Sequence, residues 1–288
     1  MKFRKNLLTQ VVALALCGAF VSSAHAGSFT ITNVAGAGTS ANIDDAGYFN
    51  SIGLGLVYAG REFVNIDTLS SNYSLNANGA SVAVADEVFG TNPLGASILF
   101  GSGNVVLTAS FGGGWSFIQT VSIPTPGHVA VQIQLTNNTG FTATDVQWGV
   151  GFDPDQGVPN GGGNETTNVI NATGSNDASV TATSFDGASI TLANTTSASA
   201  FTINPYIDSL CCSPVDPALM ILLAQGVGNY GFTDSSINLA YDLGTIASQH
   251  SVTLGYEYIM AVPEPETYAM LLAGLGLIGF SARRRMQG

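Results

Sequence analysis

The sequence predicts an all-β protein, an antiparallel β-sandwich of the jelly-roll or Ig-like kind with one short helix. Glycine is abundant, at 35 of 288 residues, and charged residues make up only 9% of the chain, so few side chains are available to cover surface helices. Two long runs, His128–Thr136 and Ser251–Met260, alternate apolar and polar side chains. A period of two is typical of strands with one buried face.

The same alternation marks Asp145–Phe152 as a strand. The polar turn Asn137–Gly140 separates it from His128–Thr136, so we expect these two strands to form an antiparallel pair. Many short strands joined by Gly-, Asn- and Ser-rich turns favour a sandwich. The other predicted strands are Phe29–Asn33, Ala80–Val88, Asn104–Phe111, Trp115–Ile123, Ser189–Ala193 and Ile237–Leu243.

One helix is predicted, with Asp216 as its N-cap, Pro217 at its first position, an apolar body Ala218–Gln225 and Gly226 as its stop. We expect it to lie across an open end or an edge of the sandwich. The turn-rich stretch Asn33–Asn50 is expected to be a loop.

The N-terminus has the form of a secretory signal peptide over residues 1–26. Three basic residues precede an apolar run that ends before Ala24-His25-Ala26, so we expect export by the Sec translocation machinery and cleavage between Ala26 and Gly27. Cys17 raises the alternative of a lipoprotein, but Leu16 stands where a small residue is expected. The exported β-sandwich domain is then expected over residues 27–261.

Residues 262–288 have the form of a short membrane segment. Val262-Pro263-Glu264-Pro265 precedes an uncharged apolar run, and a basic cluster follows, formed by Arg283, Arg284 and Arg285. The apolar run is short for a single transmembrane helix, but its flanks can reach the interfaces, and the arginines should stay cytoplasmic. A buried core helix is the alternative.

This tail resembles the PEP-CTERM sorting signal of Gram-negative bacteria that make exopolysaccharide. The resemblance implies recognition by exosortase, a membrane enzyme, and cleavage near the Pro-Glu-Pro box. It implies a transient inner-membrane anchor with the body in the periplasm, followed by transfer to the outer surface or the extracellular matrix. It implies no activity for the body.

The body between the two end segments is almost purely acidic. It contains 17 of the 19 acidic residues, and Arg61 is its one Lys or Arg residue. A phosphate backbone would be repelled, which excludes nucleic acid as a partner. The absence of lysine excludes P-loop and Schiff-base chemistry in the body.

A metal site is predicted in the loop that follows the strand ending at Phe152. Asp153, Asp155 and Glu165 are candidate Ca²⁺ ligands, with Asn160 or Asn164 as further oxygen donors, because Ca²⁺ prefers carboxylate and amide oxygens. The strict EF-hand pattern is absent. The alternative is a solvated acidic loop that caps the sandwich.

Cys211 and Cys212 are the cysteines that remain after signal cleavage, and they pass through an oxidising compartment. They could form a vicinal disulfide, stay as thiols, or bridge to another chain. Two cysteines with only two histidines elsewhere in the body make a poor zinc site.

No catalytic residues are predicted. Neither Gly-x-Ser-x-Gly nor His-Glu-x-x-His occurs, and His128 and His250 each stand at the start of a strand. Trp115 and Trp148 fall on apolar strand faces, which favours core packing over a platform for sugar rings.

The sequence therefore favours a non-enzymatic exported protein of the envelope or the extracellular polysaccharide matrix. The alternative is a calcium-assisted carbohydrate-binding module, and a glycoside hydrolase, which needs only two carboxylates, is a third hypothesis.

Overall fold

A computed structural model describes residues 29–32, 38–49, 54–64, 71–86, 93–101, 103–174, 176–197, 201–212 and 215–263, together with 272–275 and 278. These residues form three antiparallel sheets. The all-β sandwich expected from the alternation is confirmed.

Nine strands form the largest sheet. In spatial order they are β16 (Gly228–Thr233), β12 (Thr166–Ala172), β13 (Ser179–Thr183), β14 (Ser189–Asn194), β18 (Ser251–Ala261), β10 (His128–Asn137), β9 (Trp115–Ser122), β8 (Asn104–Phe111) and β7 (Leu94–Gly101).

The second sheet has five strands, in the order β15 (Thr202–Asp208), β17 (Ser236–Ile246), β11 (Ala143–Phe152), β5 (Asn72–Ala77) and β6 (Ala80–Asp86). The third has four, in the order β1 (Phe29–Thr32), β2 (Thr39–Ile43), β3 (Leu56–Tyr58) and β4 (Arg61–Glu62). A 3-10 turn covers Val158–Asn160, and residues 272–275 are helical.

The nine- and five-stranded sheets share one core that is rich in aromatic rings. Trp148 of β11 is fully buried, and its ring stacks on that of Tyr73 of β5 with centroids 5.5 Å apart. Phe117 of β9 meets the same two rings from the opposite sheet, at 5.9 Å and 5.6 Å. Rings of this size bury large apolar areas, so this cluster stabilises the packing of the two sheets against each other.

The expected pairing of β10 with β11 is wrong. β10 pairs with β9 and β18, whereas β11 pairs with β5 and β17, so the chain crosses from one sheet to the other between them. Asn137 makes the corner: its buried amide donates to the carbonyls of Phe141 and Ile246, both at 2.9 Å. Alternation alone could not reveal this, because strands of both sheets present the same period toward one core.

The expected loop Asn33–Asn50 is wrong in part. Residues 39–43 form β2, and the following turn is inserted into the core, where Ala46 and Tyr48 are buried. The Oδ1 atom of Asp44 accepts hydrogen bonds from the backbone of both residues, which holds the turn. Residues 33–37 and 50 lie outside the described part of the chain.

The helix, α1 (Pro217–Leu222), begins as predicted, with Asp216 accepting from the backbone of Ala218 and Leu219. It ends three residues earlier than predicted. The reason is Gln225, whose side chain bonds both backbone groups of Ile207 on β15 and so draws the chain away from the helical path.

The expected position of α1 is also wrong. Instead of an end or an edge, the helix covers the outer face of the five-stranded sheet, where Met220 packs against Ala240. Small residues make this approach possible: a Cβ atom on Gly149 of β11 would lie 2.9 Å from Val215 Cγ2.

Candidate cation site at the end of the sandwich

Three carboxylates meet where β11 ends. Asp153 and Asp155 follow β11 directly and are 2% and 1% exposed, and the partly exposed Asp234 precedes β17. Their carboxylate oxygens lie within 4.8 Å of one another. Carboxylates this close repel unless a cation or a proton lies between them, and oxygen donors of this kind suit a hard cation.

Pairing between strands explains how the sequence builds this cluster. Phe152 pairs with Ile237, so residues that follow β11 lie beside residues that precede β17. Asp234 was not among the predicted ligands, because its proximity depends on the β11–β17 pairing. The position of an acid just before a predicted strand is the only local signal for it.

The other predicted ligands are placed differently. Glu165 is exposed and does not join the three carboxylates. Asn160 donates from Nδ2 to Asp186 at 2.8 Å, on the turn between β13 and β14.

Arg61 clamps the acidic loop to this β13–β14 turn. Its guanidinium makes two hydrogen bonds to Asp186 and one to the carbonyl of Gln156, and Arg61 is 8% exposed. Burial by itself would raise the pKa of Asp186, but hydrogen bonds from Arg61 and Ser184 outweigh burial and the pKa is lowered. The one Lys or Arg residue of the body therefore holds this loop in place.

Gln156 provides a second connection between the acidic loop and the β13–β14 turn. Its buried side chain donates to the carbonyls of Ala182 and Ala188, at 3.1 Å and 3.3 Å, on either side of the β13–β14 turn. The loop that carries Asp153 and Asp155 is therefore tied to the nine-stranded sheet, although its strand belongs to the five-stranded sheet.

Cys211 and Cys212 lie beside the cluster, joined as a vicinal disulfide. Cys212 Sγ lies 3.6 Å from an oxygen of Asp153. Because a disulfide sulfur carries no proton, this is a packing contact and not a hydrogen bond.

The C-terminal segment leaves the sandwich at the same end. Ala261, the last residue of β18, pairs with Ser189 of β14, and Val262 packs against the core. Pro263 is next to the β13–β14 turn, since a Cβ atom on Gly187 would lie 3.1 Å from its Cγ. The first half of the Val-Pro-Glu-Pro box is therefore in contact with the turn that carries Asp186.

Several predicted features lie outside the described residues: the signal peptide with Ala26 and Gly27, the residues Glu264 and Pro265, and the cluster Arg283, Arg284 and Arg285. Among the described residues, no helix has both the length and the apolar character needed to cross a bilayer.

The histidines and tryptophans do not form a site in the described chain. His128 Nδ1 lies 2.9 Å from Glu257 Oε1 across the β10–β18 pair, and His250 is exposed in a turn. Trp115 and Trp148 are 3% and 0% exposed, which places both in the core.

Comparison with known proteins finds a family at the C-terminus. Residues 261–285 match the family described as the PEP-CTERM protein-sorting motif. The motif begins at the last residue of β18. No curated protein matches the chain.

Solved structures with partial similarity include heparan sulfate lyase HepC from Pedobacter heparinus, at 12% identity and a TM-score of 0.44, with 85% of this chain and 38% of that chain covered. A heparinase III with methylated lysines matches at 10% identity and a TM-score of 0.45, covering 90% and 41%. The chain thus spans about two fifths of those structures. At this identity and TM-score, the likeness supports no conclusion about activity.

Proposed function

We propose that this chain, which carries a PEP-CTERM sorting motif and is therefore sorted by exosortase for export, is a non-enzymatic protein of the cell envelope or the extracellular polysaccharide matrix. In this proposal the Sec machinery exports it, its tail holds it briefly in the inner membrane of a Gram-negative cell, and exosortase then releases the body outward. Nucleic acid has no part, because the body is acidic.

The junction between the fold and the motif carries this proposal. The motif starts at Ala261, where the last strand ends, so cutting after the box would remove no residue of the sandwich. Val262 and Pro263 pack on the domain, and a cut beyond them would leave these contacts intact.

Intact-mass measurement of the exported protein tests the route. We expect the mature form to begin at Gly27 and to lack Arg283–Arg285 in a host with exosortase, and to retain the arginines in the same host without it. Retention of the arginines in both hosts would count against exosortase processing.

A second candidate function is calcium-assisted carbohydrate binding at the Asp153–Asp155–Asp234 cluster. The observation that favours it is the close approach of three carboxylates at the end of a strand. Ca²⁺ takes six to eight oxygen ligands, so backbone carbonyls of the glycine-rich loop and sugar hydroxyls would complete its shell.

Thermal unfolding of the purified protein with Ca²⁺ and with chelator tests this candidate. A ligand at about 100 times its dissociation constant stabilises a fold by about 2.7 kcal/mol, so we expect a clear rise in Tm with Ca²⁺. The rise should vanish in Asp155→Asn and persist in the control Glu165→Gln, whose side chain is exposed outside the cluster. An equal response of parent and Asp155→Asn would eliminate the site.

A further inference from the structure

The outer face of the nine-stranded sheet is almost free of charge. Its nine strands contain one acidic residue, Glu257, and no lysine or arginine, although the body has 17 acids. The outward positions carry mainly hydroxyl and amide groups, for example the exposed Thr108, Gln132, Gln134 and Thr253 and the half-buried Thr120, together with a few exposed apolar side chains such as Leu99 and Ile118. This face therefore offers many hydrogen-bond donors and acceptors and almost no Coulombic field.

A raised segment crosses this face at one point. Thr195 and Thr196, which follow β14, lie over Gly255 of β18: the Thr195 amide donates to the Gly255 carbonyl at 2.9 Å, and the Gly255 amide donates to Thr196 Oγ1 at 2.8 Å. A Cβ atom on Gly255 would lie 2.7 Å from Thr195 Oγ1. A side chain at this position would therefore have to displace the Thr195 hydroxyl, so glycine lets the segment lie close to the sheet.

The segment forms one wall of a groove. Thr120 of β9, Gln132 of β10 and Thr253 of β18 lie along its floor, and Ser197 continues the wall. The groove has a volume of about 370 Å³. None of the residues that line it is charged or aromatic.

This lining selects for one class of ligand. Hydroxyl and amide side chains can exchange hydrogen bonds with the hydroxyl groups of a sugar, each as donor or acceptor. An acidic glycan would find no cation in the groove and would approach a body of negative net charge. Without an aromatic ring for stacking, each sugar unit would be held by hydrogen bonds alone.

We propose that this groove is a binding site for an uncharged polysaccharide. The proposal rests on the matrix role proposed above and names its ligand class. It does not involve the Asp153–Asp155–Asp234 cluster, which lies at the end of the sandwich, and it needs no cation. An extended polymer would continue from the groove across the neighbouring hydroxyl-bearing strands, so that weak contacts add along the chain.

Affinity electrophoresis and calorimetry on the purified exported protein test the proposal. The probes are three neutral polymers, dextran, a soluble β-1,3-glucan and hydroxyethylcellulose, with polygalacturonate as the acidic comparator. We expect binding to at least one neutral polymer, no binding to polygalacturonate, and no effect of chelator. The binding measurement does not depend on processing of the tail. A failure to bind polysaccharide can therefore be distinguished from a failure of the sorting route.

Variants locate the site. Gln132→Ala and Thr120→Val should each weaken binding about two- to tenfold, as expected for the loss of one neutral hydrogen bond. Gln134→Ala is the matched control, since Gln134 is exposed on the same face of the same strand but does not line the groove. All three substitutions are on the surface, and unchanged Tm values would show that each variant is folded.

Three outcomes would overturn the proposal: no binding to any of the neutral polymers, a preference for polygalacturonate, or an equal loss in Gln132→Ala and Gln134→Ala.

Discussion

The two large sheets share a core but differ on their outer faces. Among the described residues, no element covers the outer face of the nine-stranded sheet, whose strands carry one acid, Glu257, next to His128. The smaller five-stranded sheet has an acidic residue on four of its strands and is covered by α1. Because both sheets bury the same kind of side chain, the core does not dictate this difference. We therefore infer that the difference in charge between the two outer faces depends on what each face contacts.

Outside the core, Arg61 of β4 connects the loop after β11 of the five-stranded sheet to the β13–β14 turn of the nine-stranded sheet. We predict that Arg61→Met lowers the free energy of unfolding by about 1–3 kcal/mol at pH 7, because it leaves the Gln156 carbonyl and the partly exposed Asp186 carboxylate without this donor, although Asn160 and Ser184 still donate to Asp186. Urea unfolding monitored by tryptophan fluorescence measures this. Adding Asp186→Asn to Arg61→Met should recover part of the loss, and a loss below about 1 kcal/mol would show that the clamp is unimportant.

The stability lost in Arg61→Met should become smaller as the pH falls. The pKa of Asp186 is lowered in the folded protein, so its contribution is present above the pKa of the unfolded state and is lost as pH falls through the folded pKa. We therefore expect the difference between parent and Arg61→Met to shrink below about pH 4. A difference that stays constant down to pH 3 would contradict this assignment.

The covered face should be far less tolerant of added volume than the open face. Gly149→Val on β11 would push into Val215 and Pro217, which lie 2.9 Å and 3.3 Å from a Cβ atom at that position. We expect a loss of about 1–3 kcal/mol from this overpacking, measured as a lower urea midpoint. Thr108→Val, exposed on the open face, should change stability by less than about 0.5 kcal/mol, and equal losses would refute the contrast.

One acid lies between the sheets and should destabilise the fold at neutral pH. The turn that contains Asp44 is held by Gln119 of β9, which donates to the Gly47 carbonyl, and by Tyr73 of β5, which donates to the Ala46 carbonyl. Burial raises the pKa of Asp44 to about 6, although hydrogen bonds from the Tyr48 and Ala46 amides oppose the shift.

Because the folded pKa of Asp44 exceeds the unfolded value of 3.8, the folded state binds the proton more tightly, and stability is lost as pH rises from about 4 to about 6. Asp44→Asn keeps an acceptor for both amides, so we expect it to stabilise the protein by roughly 1–3 kcal/mol at pH 7 and to match the parent below pH 4. Asp45→Asn is the comparison: it removes a neighbouring charge that contributes less than burial to the raised pKa of Asp44, so its gain at pH 7 should be smaller. No gain for Asp44→Asn at pH 7 would contradict the expected burial.

The sequence was informative about strands and uninformative about their partners. The stretch Asp145–Phe152 was predicted as a strand from its alternation, and the alternate residues Val146, Trp148 and Val150 are all buried, because alternation is a local property. The pairing of β11 with β17 joins residues about 90 positions apart, which no local pattern records. The sequence could therefore place Asp153 and Asp155 together in a candidate cluster, whereas Asp234 could not be assigned to it. The groove was missed for the same reason, since its wall and floor come from four separate strands or loops.

The smallest expected effect bears on the open face itself. Gln134→Glu, alone and with Thr108→Glu, places charge on exposed positions that flank Ile118 of β9 in one cross-strand row, and we expect each variant to unfold within about 0.5 kcal/mol of the parent. If so, the fold tolerates charge there, and the lack of charge across nine strands is not a requirement of stability. That result would support contact with an uncharged ligand, such as the polysaccharide proposed above, as the reason for the lack of charge. A loss of more than about 2 kcal/mol in the double variant would instead attribute the uncharged surface to the sheet's own stability.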